Sequence, residues 1–307
     1  MSATIDAPDA AFNDMATGTP ATPIVVKKQR RAGFPIYLTV WAIVIIWTIP
    51  TLGLLINSFR APSDIRNEGW WTTLGNPFDS AKWTLDNYSR VLDEGFSNAF
   101  LNTLAVSIPS TIIPIMIAAF AAYAFAWIDF PGRNFLFIVV VGLMVVPLQM
   151  ALIPILRVYT DLDLTGTYPA VWLAHAGFGL PLAVYLLRNY MGSLPGSMIE
   201  SARIDGADHF AIFTKLVLPL SVPVLASFAI FQFLWTWNDY LVALVFLGIE
   251  PKNRVLTVEL ADLAGRGEGA LNLLPAAAFV TMILPLVVFF SLQRYFVRGL
   301  TAGSVKG

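Results

Sequence analysis

The 307-residue chain contains no cysteine, which excludes disulfides, a thiol nucleophile and a zinc–thiolate site. Its two histidines, His175 and His209, are too few for a histidine-rich metal centre. Charge is scarce: Asp, Glu, Lys and Arg make up 13% of the residues, where a soluble domain carries about 25%. The 19 Lys+Arg offset the 20 Asp+Glu, so the chain is not a polycation and nucleic acid is no expected partner. No Gly-x4-Gly-Lys-[Ser/Thr] phosphate loop occurs.

Apolar residues fill the space that charge leaves. Hydrophobic side chains account for 57% of the sequence and mean hydropathy is +0.69. Six charge-free stretches lie between Arg31 and Arg60, Glu94 and Asp129, Arg133 and Arg157, Asp163 and Arg188, Lys215 and Asp239, and Glu268 and Arg294. Each is long enough for the roughly 20 helical residues that cross a hydrocarbon core. They are continuously apolar rather than alternating, which predicts helices and not barrel strands. Prolines at 50, 109, 114, 147, 154, 181, 223 and 285 fall inside them. In a bundle, neighbouring helices re-satisfy the carbonyls that proline frees, whether the kinks move or stay fixed.

Orientation follows from the basic cluster Lys27-Lys28-Gln29-Arg30-Arg31, which the positive-inside rule puts in the cytoplasm. Alternation then places the loops near Arg133 and Glu200, and both termini, inside. The loops at 59–98, 158–167 and 248–272 fall outside and carry most of the acids. Residues 1–33 begin with an Ala/Thr/Pro/Asp-rich stretch without periodicity, which reads as a disordered cytoplasmic tail. The first span is too long for a secretory signal and is expected to be retained. Trp70, Trp71, Trp83, Tyr88 and Phe96 of the largest outer loop suit an interfacial belt, local packing or an external contact.

Between the fourth and fifth stretches, a polar insert at about 188–216 carries Glu200-Ser201-Ala202-Arg203-Ile204-Asp205-Gly206 and, nine residues on, Leu216-Val217-Leu218-Pro219. Ser197 is expected to cap a short helix, with Glu200 completing a capping box. Ile199, Ala202, Ile204 and Ala207 are expected to form its apolar face, and Gly206 allows a left-handed or closely packed backbone. A second helix over about 207–216, carrying Phe210 and Phe213, is expected to end where Pro219 opens the fifth span. By chemistry alone the insert is either an amphipathic connector on the membrane surface or a contact for a soluble partner.

The pattern Glu200-x-Ala202-x3-Gly206-x9-Leu216-x-Leu218-Pro219 resembles the EAA signature of permease subunits of binding-protein-dependent ABC importers, with Ser201 and Leu216 standing where Ala and Ile are usual. The run Trp237-Asn238-Asp239-Tyr240 and the ending Arg298–Gly307 look like the maltose-type sugar permeases, second-permease branch. The resemblance covers about residues 34–307. It implies an all-α membrane protein: six transmembrane helices in the type I ABC importer bundle, with both termini cytoplasmic, in a prokaryotic inner membrane. It implies a second permease subunit, a dimer of ATP-binding cassette subunits that binds the ATP and Mg, and an external solute-binding protein. The chain itself would hold no cofactor or metal and have no catalytic residues. Glu200, Ser201, Ala202, Asp205, Gly206, Leu218 and Pro219 would couple it to the ATPase, and a sugar, such as a disaccharide or α-glucoside, would be the solute.

Polar groups inside a membrane are functional candidates. Gln232, Trp235, Thr236, Trp237, Asn238, Asp239 and Tyr240 supply the aromatic faces and the amide or carboxylate groups that sugars need. Interhelical hydrogen bonding is the competing reading. Three other classes fit less well. A non-sugar solute lacks the C-terminal likeness. An ion-coupled secondary transporter would want paired membrane acids, where only Asp239 lies in a span. A membrane enzyme would want a His/Asp/Glu constellation.

Overall fold

The computed structural model describes residues 33–79 and 83–302. The tail expected at residues 1–33 therefore lies almost wholly outside the described residues, and of the ending Arg298–Gly307 only the helical backbone to Ala302 is described. Among the described residues there is no β-sheet; one isolated bridge pairs Arg60 with Trp83.

The first helix, α1 (Phe34–Ser58), contains the boundary between two compact units, at Ile49 and Pro50. The first unit is the apolar helical stretch up to Ile49. The second begins at Pro50 and holds every feature described below.

Two helices form the centre of the second unit: α4 (Ser97–Trp127), which follows short helices α2 (Pro62–Asn67) and α3 (Asp86–Val91), and α7 (Tyr168–Met191). They pack closely because their facing positions are small: Ala118, Ala119, Ala122, Ala174 and Ala183 are all buried. Three hydrogen bonds fix the register. Tyr168 OH donates to Asn102 Oδ1 at 2.7 Å, Trp172 Nε1 to the Ala105 carbonyl at 2.9 Å, and Trp127 Nε1 to the Met191 carbonyl at 3.1 Å. The sequence offsets, 66, 67 and 64 residues, are nearly constant, so the two helices run parallel.

Parallel neighbours require the chain to return between them. It does so through α5 (Arg133–Val145) and α6 (Leu148–Asp161), which meet at 102°. The third charge-free stretch is thus not one straight helix. Pro147 has no N–H to continue α5 and biases Val146 toward the extended backbone it adopts, φ −68° and ψ 117°. Each arm is about 20 Å long, less than the roughly 30 Å of a hydrocarbon core. Among the described residues, four helical segments are long and apolar enough to cross a membrane, and the bent pairs bring the number to as many as six.

After α7 come the insert helices α8 (Gly196–Ile204) and α9 (His209–Leu220), then α10 (Val222–Trp237), which turns 70° from α9. The chain breaks at Asn238, resumes as α11 (Leu241–Leu247), and closes with α12 (Leu256–Gly265) and α13 (Leu274–Ala302). Away from the insert, Arg254 and Arg266 gather Glu94, Glu259 and Asp262 into an ion network. The hydrogen bond to Asp262 is the chief cause that pushes up the Arg266 pKa. In the 59–98 segment, packing takes up most of the aromatic residues. Phe96 is buried, Tyr88 donates to Ser58, Trp83 donates to the Pro77 carbonyl and Trp70 lies against Gly53, while Trp71 remains exposed.

Candidate functional site

The insert is a rooted projection. Ile199, Ile212, Phe213 and Val217 are buried among the ends of α4 and α7, in one apolar cluster with Ala122, Leu187 and Met191. Polar ties hold it in place: Arg203 donates to the Trp127 carbonyl at 3.3 Å, and the Tyr123 hydroxyl and His209 Nδ1 are 3.0 Å apart.

The turn between α8 and α9 explains its glycine. Gly206 N–H donates to the Arg203 carbonyl and Ala207 N–H to the Ala202 carbonyl, both at 3.0 Å. This paired closure is the Schellman arrangement, which needs a left-handed residue at its corner. Gly206 provides it with φ +82°. A Cβ built there would meet nothing within 4 Å, so of the two roles expected for Gly206 the chain itself uses the backbone conformation and not close packing. Asp208 then caps α9 by accepting from Ala211 N–H at 2.7 Å.

Three local expectations are corrected. The helix starts at Gly196 with Pro195 preceding it and no side-chain cap, so Ser197 is already inside α8, and its carbonyl accepts from Ser201 Oγ at 2.9 Å. No Ser197–Glu200 capping box forms. Ile204 is 86% exposed rather than part of the apolar face. It lies five residues beyond Ile199, about 140° around the helix, and the spacing alone could have shown this. Pro219 does not open the fifth span. It sits near the end of α9, after a wide turn at Phe213–Val217, and α10 begins at Val222 beyond the bend.

The outer surface of the turn therefore presents Glu200, Ser201, Arg203, Asp205, Gly206 and Asp208 around two exposed apolar side chains, Ile204 and Phe210, the latter 67% exposed. Ala202 is partly buried, as are Leu216 and Leu218, which pack on the cluster below.

The 232–240 run divides over two faces of α10 and the break after it. Trp237 is fully buried on one side: its indole donates to the Thr281 carbonyl of α13 at 2.9 Å and its ring meets Phe100 edge-on. Gln232, Trp235 and Asp239 lie on the other, at the i, i+3, i+7 spacing of one helix face. Gln232 is fully buried and donates to the carbonyls of Ser110 (3.2 Å) and His175 (3.4 Å). Trp235 meets the His175 ring edge-on, centroids 5.1 Å apart. Asp239 lies 3.6 Å from His175 Nε2 and caps α11, accepting from the N–H groups of Val242 and Ala243. Asn238 and Tyr240 are exposed, the former donating to the Leu234 carbonyl at 2.7 Å, and Thr236 is buried with its hydroxyl on the Gln232 carbonyl.

Two members of this site lie outside the 232–240 run. His175 stands between Trp235 and Asp239, its ring edge-on to the indole and its Nε2 3.6 Å from the carboxylate. Gly179 is the second: a Cβ there would stand 2.6 Å from Gln232 Oε1, so glycine lets that amide lie against α7. A glycine in the middle of an apolar helix was the available signal.

The family described as "Binding-protein-dependent transport system inner membrane component" matches residues 114–302. The chain is 56% identical over 273 residues to the "Osmoprotective compounds uptake permease protein GgtD" of Synechocystis sp., covering 89% of this chain and 92% of that one. It is 57% identical over 262 residues to the "Alpha-glucoside transport system permease protein AglG" of Rhizobium meliloti, covering 81% of this chain and 68% of that one. A chain of a crystallised bacterial ABC transporter "involved in the import of the acidic polysaccharide alginate" superposes with a TM-score of 0.67 at 22% identity, covering 85% of this chain and 94% of that one. That likeness shows a shared fold.

Proposed function

Because the chain belongs to the family of binding-protein-dependent transport system inner membrane components, we propose that it forms half of the translocation pathway of an ABC importer for a sugar of the α-glucoside class. ATP is hydrolysed on separate cassette subunits, which bind the nucleotide and Mg. A second permease subunit supplies the other half of the path, and an external binding protein delivers the solute. Supporting the sugar reading are the relative's alpha-glucoside name at 57% identity and the pairing of Trp235 with Gln232 and Asp239 on one helix face.

The observation that carries the coupling assignment is the insert's construction. Its root is buried among the ends of two membrane-length helices, while its tip is exposed and holds both charge and apolar surface. A short helix held this way moves with α4 and α7 as a unit, so a push on the tip reaches the centre of the bundle. Glu200, Ser201, Ala202, Asp205 and Gly206 form the docking element, with Leu218 and Pro219 at its junction with the fifth span. In this reading the chain crosses the inner membrane six times, with both termini cytoplasmic. The parallel course of α4 and α7 supports it, since two parallel spans need one return crossing between them.

The test is a reconstituted assembly in which hydrolysis and uptake are read together. Gly206→Val strains the +82° backbone beyond the roughly 1 kcal/mol of glycine propensity, and Glu200→Lys reverses the contact charge. Both variants are expected to insert in the membrane and to lose substrate-stimulated hydrolysis and uptake together. Normal coupled transport in both would overturn the assignment.

A further inference from the structure

Halfway along α7 and in the C-terminal part of α10, a cavity of about 230 Å³ opens beside the elbow between α5 and α6. Met144, Gly179, Phe231, Gln232 and Trp235 are among its lining residues. Met144 and Phe231 are exposed and form its rim, whereas Gln232 is fully buried. The Gln232 amide has its donor end tied to the Ser110 and His175 carbonyls, and its acceptor, Oε1, has no partner.

Buried polar groups are ordinarily satisfied, and one on a cavity wall that is not points to a ligand or water that brings the missing partner. Ser107 Oγ, Ser110 Oγ and both ring nitrogens of His175 also have no hydrogen-bond partner, but they are not among the residues that line the cavity. A lipid chain would leave Gln232 Oε1 unpaired in a medium where that is costly. A hydroxyl-bearing ligand would not, because a hydroxyl donates to such an acceptor. Beside it, Trp235 supplies an apolar aromatic ring at the cavity wall. Its orientation is held by the edge-on contact with His175, which in turn stands 3.6 Å from Asp239.

The volume limits what fits. Sites for whole drug-sized ligands begin at about 300 Å³, so a cavity of about 230 Å³, open at its rim, holds one ring, with the rest of a longer sugar lying outside it. We propose that this cavity is a subsite for a single pyranose ring of the transported sugar. Trp235 offers the stacking face, Gln232 Oε1 accepts from a ring hydroxyl, and His175 and Asp239 act as positioning residues for Trp235. The inference rests on the sugar-import reading above and narrows the path to one cavity.

The experiment uses the complete assembly, with both permease subunits, the ATPase and the binding protein in proteoliposomes, and labelled maltose, sucrose and trehalose as probes. Trp235→Leu keeps apolar bulk without the aromatic face and is expected to lower uptake about tenfold. Trp235→Phe should lose less, and the two variants should change the preference among the three sugars. Met144→Trp fills the cavity from its rim, where Met144 is 43% exposed, and is expected to block uptake while the subunits still co-purify. Should Trp235→Leu fail to assemble, Met144→Trp decides. Parental uptake in Met144→Trp, or a loss in Trp235→Leu that Trp235→Phe equals and that leaves the sugar preference unchanged, would overturn the subsite while leaving the sugar reading intact. Failure of the parental assembly to take up any of the three sugars would instead overturn the sugar reading, and the subsite with it.

Discussion

The insert at 196–220 and the run at 232–240 are neighbours in sequence and opposites in construction. Along the insert, consecutive residues do one job: the buried side chains root it and the exposed ones form a single tip. Along the run, consecutive residues do different jobs. Trp237 binds α10 to α13, Gln232 and Trp235 face a cavity shared with α7, and Asp239 ends one helix and caps the next. Where function follows a local turn, a linear motif captures it. Where function depends on which helix lies on which side, residues adjacent in sequence separate in space.

The difference can be broken by substitution. The largest effect is expected at Trp237. Truncating a fully buried tryptophan costs about 3–5 kcal/mol, so Trp237→Ala should lower the midpoint of thermal unfolding of the purified assembly sharply. A variant that kept its stability and only changed sugar preference would return Trp237 to the cavity side of α10. A smaller loss is expected from Asp239→Ala, which removes the cap on α11, worth about 1 kcal/mol, together with the neighbour of His175. Its distinguishing readout is a change in sugar preference, carried through His175 and Trp235, larger than its change in thermal midpoint. Equal preference would confine Asp239 to capping. The smallest effect belongs to Tyr123→Phe, which deletes one hydrogen bond to His209 worth about 1 kcal/mol or less. Because that bond ties the insert to α4, the amount of hydrolysis per sugar imported should rise slightly, with little change in stability. An unchanged ratio would mean that the apolar root alone holds the insert.

The helical, membrane-embedded class was legible because charge-free runs bounded by charges admit few alternatives. The insert was legible for a related reason. Gly206 sits where a left-handed corner closes two backbone hydrogen bonds, and that requirement is local enough to leave a fixed spacing in sequence. What could not be read were features set by distant partners. The 102° elbow at Val146 interrupts a stretch whose hydropathy is continuous, and a proline alone does not distinguish a gentle kink from a break. The same holds for Pro219, which lies inside α9 while the chain bends after it, at Ser221. His175 and Gly179 gained their roles from contacts across α7 and α10, which no periodicity within either helix records.

The central claim, that the turn from Glu200 to Phe210 docks on a separate ATPase, is tested most directly by site-specific crosslinking. The chain has no cysteine of its own, so Ile204→Cys and Phe210→Cys each place one thiol on the exposed tip, and Asn238→Cys places one at the far end of α10. In the assembled transporter, a short bifunctional reagent should join the ATPase subunit to positions 204 and 210 and not to 238. Crosslinking of 204 and 210 to no ATPase subunit, or their labelling by an impermeant reagent added outside intact cells, would contradict the account.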